Sequence, residues 1–150
     1  MKKLATLIVA GGAVALLVAA FAPAAAVDTY TVSATLRKTA EVPRPKGATF
    51  ARGTFSGKYV EHGKTATLTW KLTFSRLTGK AVAAHIHAGK RGVAGPVIVP
   101  LCGPCRNGQV GKVTITEATI SKLESGAAYV NVHTAKNAAG EIRGQIAAKG

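Results

Sequence analysis

Residues 65–74 alternate without a break. Ala66, Leu68, Trp70, Leu72 and Phe74 fall on one side of an extended chain, and Thr65, Thr67, Thr69, Lys71 and Thr73 on the other. Side chains two apart share a face of a β-strand, so this stretch has one oily side and one wet side. Half-buried strands of this kind belong to antiparallel sheets. Further strands are predicted at 30–36, 52–60, 96–101, 110–116, 128–134 and 141–147, with one more around Ala84-His85-Ile86-His87. Pro43, Pro45 and Gly47 deny a ladder to the segment after Glu41. One short helix is predicted at 119–126, with Ser121 as a cap, Glu124 three residues on and Gly126 as its stop. Short strands parted by turns predict an all-β protein, an antiparallel Greek-key β-sandwich or barrel.

Residues 1–26 read as a leader rather than as part of that fold. Lys2 and Lys3 precede an uncharged apolar run, and Pro23-Ala24-Ala25-Ala26 offers a small-residue cleavage site, most simply after Ala26. No cysteine follows for a lipid anchor, and no second apolar run is long enough to span a membrane. The expected mature protein is residues 27–150, one secreted domain that does not span the membrane. The chain carries 20 Lys+Arg against 6 Asp+Glu, a net charge of +14. The basic residues are spread along it, without dense runs or interleaved aromatics, which argues against a nucleic-acid partner. Such charge gives either a solvated surface or attraction to polyanions such as cell-wall polymers and anionic glycans.

The polar chemistry concentrates on two strands. His85 and His87 share one face of theirs, with Val82, Ala84, Ile86 and Ala88 facing the core. In Tyr129-Val130-Asn131-Val132-His133, the valines face in and Tyr129, Asn131 and His133 face out. Pairing Val132 with Ile142 keeps apolar faces together across the last hairpin. That register sets Asn131 opposite Arg143, Tyr129 opposite Gln145 and His133 opposite Glu141. Three neutral imidazoles, His85, His87 and His133, can hold one copper or zinc ion at about 2.0–2.1 Å. Each ligand histidine then donates its other ring N–H to a carboxylate, carbonyl or water, and Glu141 is the expected side-chain partner of His133. Without a metal the same residues would form a structural hydrogen-bond network or lie at the surface.

Cys102-Gly103-Pro104-Cys105 has the spacing of a redox dithiol, but Arg106-Asn107-Gly108 breaks rather than starts the helix that such a thiol needs. A small disulfide is expected in an oxidising compartment. No serine sits in a nucleophile elbow, six acids leave little scope for paired-carboxylate chemistry, and Gly92-Val93-Ala94-Gly95 lacks what completes a phosphate loop.

Several pieces in order resemble one family. They are Glu41-Val42-Pro43, Ala84-His85-Ile86-His87-Ala88-Gly89, Gly92-Val93-Ala94-Gly95-Pro96-Val97, Leu123-Glu124-Ser125-Gly126, Tyr129-Val130-Asn131-Val132-His133-Thr134 and Gly140-Glu141-Ile142-Arg143-Gly144-Gln145-Ile146. Together they resemble the CHRD domain, found in chordin and in exported bacterial proteins. The likeness covers about residues 30–147. It implies an immunoglobulin-like or superoxide-dismutase-like β-sandwich and brings no defined activity. Chordin's cysteine-rich modules have no counterpart here, so growth-factor binding is not carried over.

A weaker likeness is to copper/zinc superoxide dismutase, carried by the His-x-His strand and by Asn137-Ala138-Ala139-Gly140-Glu141-Ile142-Arg143. It implies copper-type ligation by His85, His87 and His133, with Arg143 beside the metal. The zinc loop's histidines and aspartate are absent, and only His62 remains as a further imidazole. The leading expectation is therefore a non-enzymatic, exported binding module, meeting an extracellular protein or an anionic wall or glycan polymer. The alternatives are a copper- or zinc-binding protein using the three histidines, with dismutase-like redox activity, and a basic polyanion binder.

Overall fold

Apolar residues recur at alternate positions along most of the strands, and those faces need a common interior. The computed structural model describes residues 28–47 and 50–150, so the expected leader, 1–26, lies outside the described residues. Among the described residues nine strands form one antiparallel sheet: β1 (Thr29–Arg37), β2 (Arg52–His62), β3 (Thr65–Ser75), β4 (Ala81–Ala88), β5 (Val97–Cys102), β6 (Gln109–Thr116), β7 (Ala128–Thr134), β8 (Ile142–Gln145) and β9 (Ala147–Lys149). The spatial order is β5-β4-β7-β8-β1-β2-β3-β6, with β9 also paired to β1. The end strands β5 and β6 approach each other, so the sheet curls into a nearly closed barrel. Curling turns the apolar faces onto one another: Leu36, Phe55, Leu68 and Leu72 from one half meet Ile86, Val130, Val132 and Ile142 from the other in a single core.

The alternating stretch behaves as its pattern dictates. In β3, Ala66, Leu68, Trp70 and Leu72 are buried, and Thr65, Thr69 and Lys71 are exposed. The β7–β8 register is the one that face matching demands, with Val132 opposite Ile142, Asn131 opposite Arg143 and Tyr129 opposite Gln145.

Local expectations move in four places. The helix, α1, spans Glu117–Glu124, starting two residues early; Thr116 rather than Ser121 caps it, accepting from the Thr119 N–H. It packs Ile120 and Leu123 into the core. A register shift between Ala81 and Ala83 buries Ala81 and leaves Val82 45% exposed, so Val82 is not a core residue. The last predicted strand is two strands, β8 and β9, separated at Ile146. Finally, the polar face of β7 is not open to water: all seven of its residues are buried.

Cys102 and Cys105 form the expected disulfide. It closes the turn after β5, whose Cys105 N–H donates to Ala81 O at the start of β4. Among the described residues no helix is long and apolar enough to cross a membrane.

Candidate metal centre

The antiparallel pairing of β4 with β7 brings the histidines together. His85 lies opposite Asn131, His87 opposite Tyr129 and Ala83 opposite His133. His133 therefore sits diagonal to His85 on the same face, within reach of a long side chain. His85 Nδ1 is 3.1 Å from His133 Nε2. The ring centroids of the three imidazoles lie 5.0–5.9 Å apart. One nitrogen from each lies within 4.8 Å of the others, and among the described residues this is the group of His, Cys, Asp or Glu placed to share an ion. His62, the fourth histidine, is exposed at the end of β2 and takes no part.

Two loops cover this face and set the ring orientations. His87 Nδ1 lies 2.9 Å from Gly95 O, and His133 Nδ1 lies 2.9 Å from Ala138 O. A carbonyl only accepts, so both Nδ1 atoms carry the proton and both Nε2 lone pairs point away from the loops. The His87 Nε2 atom is buried without a hydrogen-bond partner. Gly95 makes its contact because it has no side chain: a Cβ there would collide with the Ala88 carbonyl. His85 is half-buried and gives the cluster its opening to solvent.

Burial pushes all three imidazoles below their ordinary pKa. At His85 the neighbouring His133 and His87 add to the effect. At His87 the Gly95 carbonyl opposes burial and Arg143 reinforces it. At His133 the Ala138 carbonyl opposes burial and His87 reinforces it. The rings are therefore neutral at pH 7, the form that ligates a metal.

The surrounding residues divide into two groups. Tyr129 stacks on His87, with centroids 5.0 Å apart, and the Arg143 guanidinium lies 3.3 Å from the centre of the Tyr129 ring. The strand order β4-β7-β8 sets Tyr129 between His87 and Arg143. Arg143 thus reaches the histidine cluster through the Tyr129 ring, and its charge acts on His87. Its Nη2 donates to Lys90 O and Val93 O at 3.0 and 2.8 Å, which pins the loop that carries Gly95.

Glu141 is not the partner of His133. Its carboxylate accepts from Thr78 N, Thr78 Oγ1, Thr134 Oγ1 and Asn137 Nδ2 at 2.5–3.0 Å. Burial alone would raise its pKa, but these bonds together outweigh burial and hold it below the ordinary value. Glu141 therefore braces the loop bearing Ala138 through Asn137, and it is the Ala138 carbonyl that meets His133.

Asn131 does not touch the histidines by hydrogen bonding; its Nδ2 donates to Glu41 Oε1 at 3.2 Å. Glu41 is the residue that sequence reasoning missed. It is 2% exposed, and burial pushes its pKa up to about 7 against the pull of Val42 N–H, Arg143 and Asn131. Glu41 Oε2, Asn131 Oδ1 and Arg143 Nη1 are all buried without a partner. Gly140, at φ +135°, leaves room for them; a methyl group there would collide with the Asn131 amide and the Glu41 carboxylate. The available signal was its place in Glu41-Val42-Pro43 as one of six acids in the chain.

No curated protein and no solved structure matches the chain. The family model of the CHRD domain matches residues 32–146, which takes in Glu41, the three histidines, their covering loops and Arg143. The chain belongs to the CHRD domain family.

Proposed function

We propose that this CHRD domain is an exported, metal-binding module that holds one copper or zinc ion on His85, His87 and His133. One observation carries the reading: His87 Nε2 is buried without a partner beside a His85–His133 pair whose nitrogens are 3.1 Å apart. Two nitrogens on a tetrahedral ion with bonds of about 2.05 Å stand roughly 3.3 Å apart. The pair already has ligand spacing, and the third imidazole has an unused lone pair. The carbonyls of Gly95 and Ala138 supply the outer contacts that ligand histidines require. Holding an ion there would require His85 to carry its proton on Nε2 rather than on Nδ1, which would free Nδ1 as a ligand beside His133 Nε2.

A binding role fits the carboxylates. Glu141 is fully engaged with Thr78, Thr134 and Asn137, and Glu41 lies with Asn131, so neither is offered to a substrate at the histidines. Export is supported by the disulfide and by the leader-like residues 1–26.

The test is metal content after exposure to equimolar copper(II) or zinc(II) and exhaustive dialysis. The expected result is one ion per chain, lost in His87→Ala and in His133→Ala, with both variants folded by circular dichroism. Retention of metal by both folded variants, or none by the parent, would overturn the reading.

A further inference from the structure

The far side of the barrel carries a different kind of chemistry. Strands β1, β2, β3 and β6 lie side by side in continuous antiparallel register. Their outward positions can be read across as rungs. Thr35, Thr54 and Thr73 form one rung, and the Thr54 and Thr73 hydroxyls are 2.7 Å apart. Thr31, Lys58, Thr69 and Lys112 form another. Six exposed cations stand on this face: Arg37, Arg52, Lys58, Lys71, Lys112 and, from β9, Lys149. No outward position of the four strands carries a carboxylate; Glu61 falls on the inward parity with Phe55 and Tyr59. The aromatic side chains also fall on the inward parity: Tyr30, Phe55, Tyr59, Trp70 and Phe74 belong to the core or pack against it.

We infer that this face docks an anionic glycan, a polysaccharide chain carrying carboxylate or sulfate groups. The strands are about 4.8 Å apart and same-face residues about 6.7 Å apart along each. This gives a convex outer face of the barrel, roughly 15 Å across when measured along the sheet, with strands of eight to eleven residues running over it. Exposed cations on strands whose outward positions hold no carboxylate set up the field that such a chain follows. The hydroxyls decide between anions. Threonine and serine both donate and accept, which a polyhydroxylated chain uses in both senses. Nucleic-acid phosphates only accept, and single-stranded bases look for aromatic platforms that this face lacks. A lipid surface would call for an apolar wedge, and on these four strands Val110, 67% exposed, is the one large apolar side chain open to water. The inference is independent of the metal centre, which lies on β4, β7 and the loops.

The test uses polygalacturonate as the probe, with neutral galactan, duplex DNA and phosphatidylglycerol vesicles alongside. Two triple variants carry the same change in net charge. One places it on this face (Lys58→Glu, Lys71→Glu, Lys112→Glu), and the other in loops (Lys80→Glu, Arg106→Glu, Lys136→Glu). The parent is expected to bind polygalacturonate with an affinity that falls steeply with salt, and galactan at least tenfold more weakly. The face variant should lose about tenfold or more and the loop variant far less. All six sites are exposed, and unchanged thermal unfolding confirms that the variants are folded. Equal losses in the two variants would reduce the effect to overall charge and overturn the assignment. Tighter binding to DNA or to vesicles than to polygalacturonate would also overturn it.

Discussion

Replacing Glu41 by Gln should make the protein more stable above neutral pH, although it removes a buried charge that has a hydrogen-bonded partner. The carboxyl is 2% exposed, and its Oε2 receives no hydrogen bond. Only Oε1 is served, by Val42 N–H at 2.9 Å and Asn131 Nδ2 at 3.2 Å. Burial outweighs these bonds and the field of Arg143, and the pKa rises from 4.5 to about 7. The folded state therefore keeps a proton that the unfolded chain has already released. Between pH 4.5 and 7 the fold binds more protons than the unfolded chain, so stability falls as pH rises through this window and then levels off. A shift of that size corresponds to roughly 3 kcal/mol at pH 8. Glutamine has the shape of the neutral acid, and its amide can donate to the unserved Asn131 Oδ1. Urea unfolding of parent and Glu41→Gln at pH 5, 6, 7 and 8 reads the difference, in which the contributions of the three histidines cancel. The variant should gain on the parent steadily from pH 5 to pH 8. Parallel stability curves, or a variant that is weaker throughout, would refute the argument that burial controls this carboxyl.

Other outcomes follow from the same contacts. Glu141→Ala strips the shared acceptor from Thr78, Thr134 and Asn137 and should cost about 3–5 kcal/mol in chemical denaturation; a loss below about 1 kcal/mol would show that the network is idle. Gly95→Ala displaces the carbonyl that orients His87 and should weaken metal binding about 10–100-fold by competition with a chelator, with the ligands themselves untouched. Replacing both Cys102 and Cys105 by Ser opens a loop with a separation of only three residues, so the thermal transition should fall by the equivalent of about 2 kcal/mol or less; abolished folding would contradict this.

What was readable in advance was the consequence of pleating. Alternation in β3, the shared face of His85 and His87, and the β7–β8 register all follow from a period of two and the need to bury one face. What was hidden was set by backbone atoms and by distant loops. The carbonyls of Gly95 and Ala138 orient two histidines, yet a carbonyl leaves no mark in a residue's identity. Glu141 sits where parity puts it, next to the polar strand, but Thr78 from the β3–β4 turn claims its oxygens first. Glu41 looked like a loop acid because two prolines follow it. Only the fold shows that its loop packs against the Asn137 loop, where Lys46 N–H donates to Asn137 Oδ1 at 2.7 Å. Thr116 and Ser121 are both competent caps in the sequence, and the helix is capped at Thr116 because that start packs Ile120 and Leu123 into the core.

The most direct measurement of the metal centre is a long-range proton–nitrogen spectrum of the histidine rings, recorded without metal and with one equivalent of zinc(II). The geometry predicts zinc on Nε2 of His87 and His133, with both Nδ1 protons retained against Gly95 and Ala138, and on Nδ1 of His85, whose proton moves to Nε2. Three unshifted rings, or a signal that changes only at His62, would contradict it.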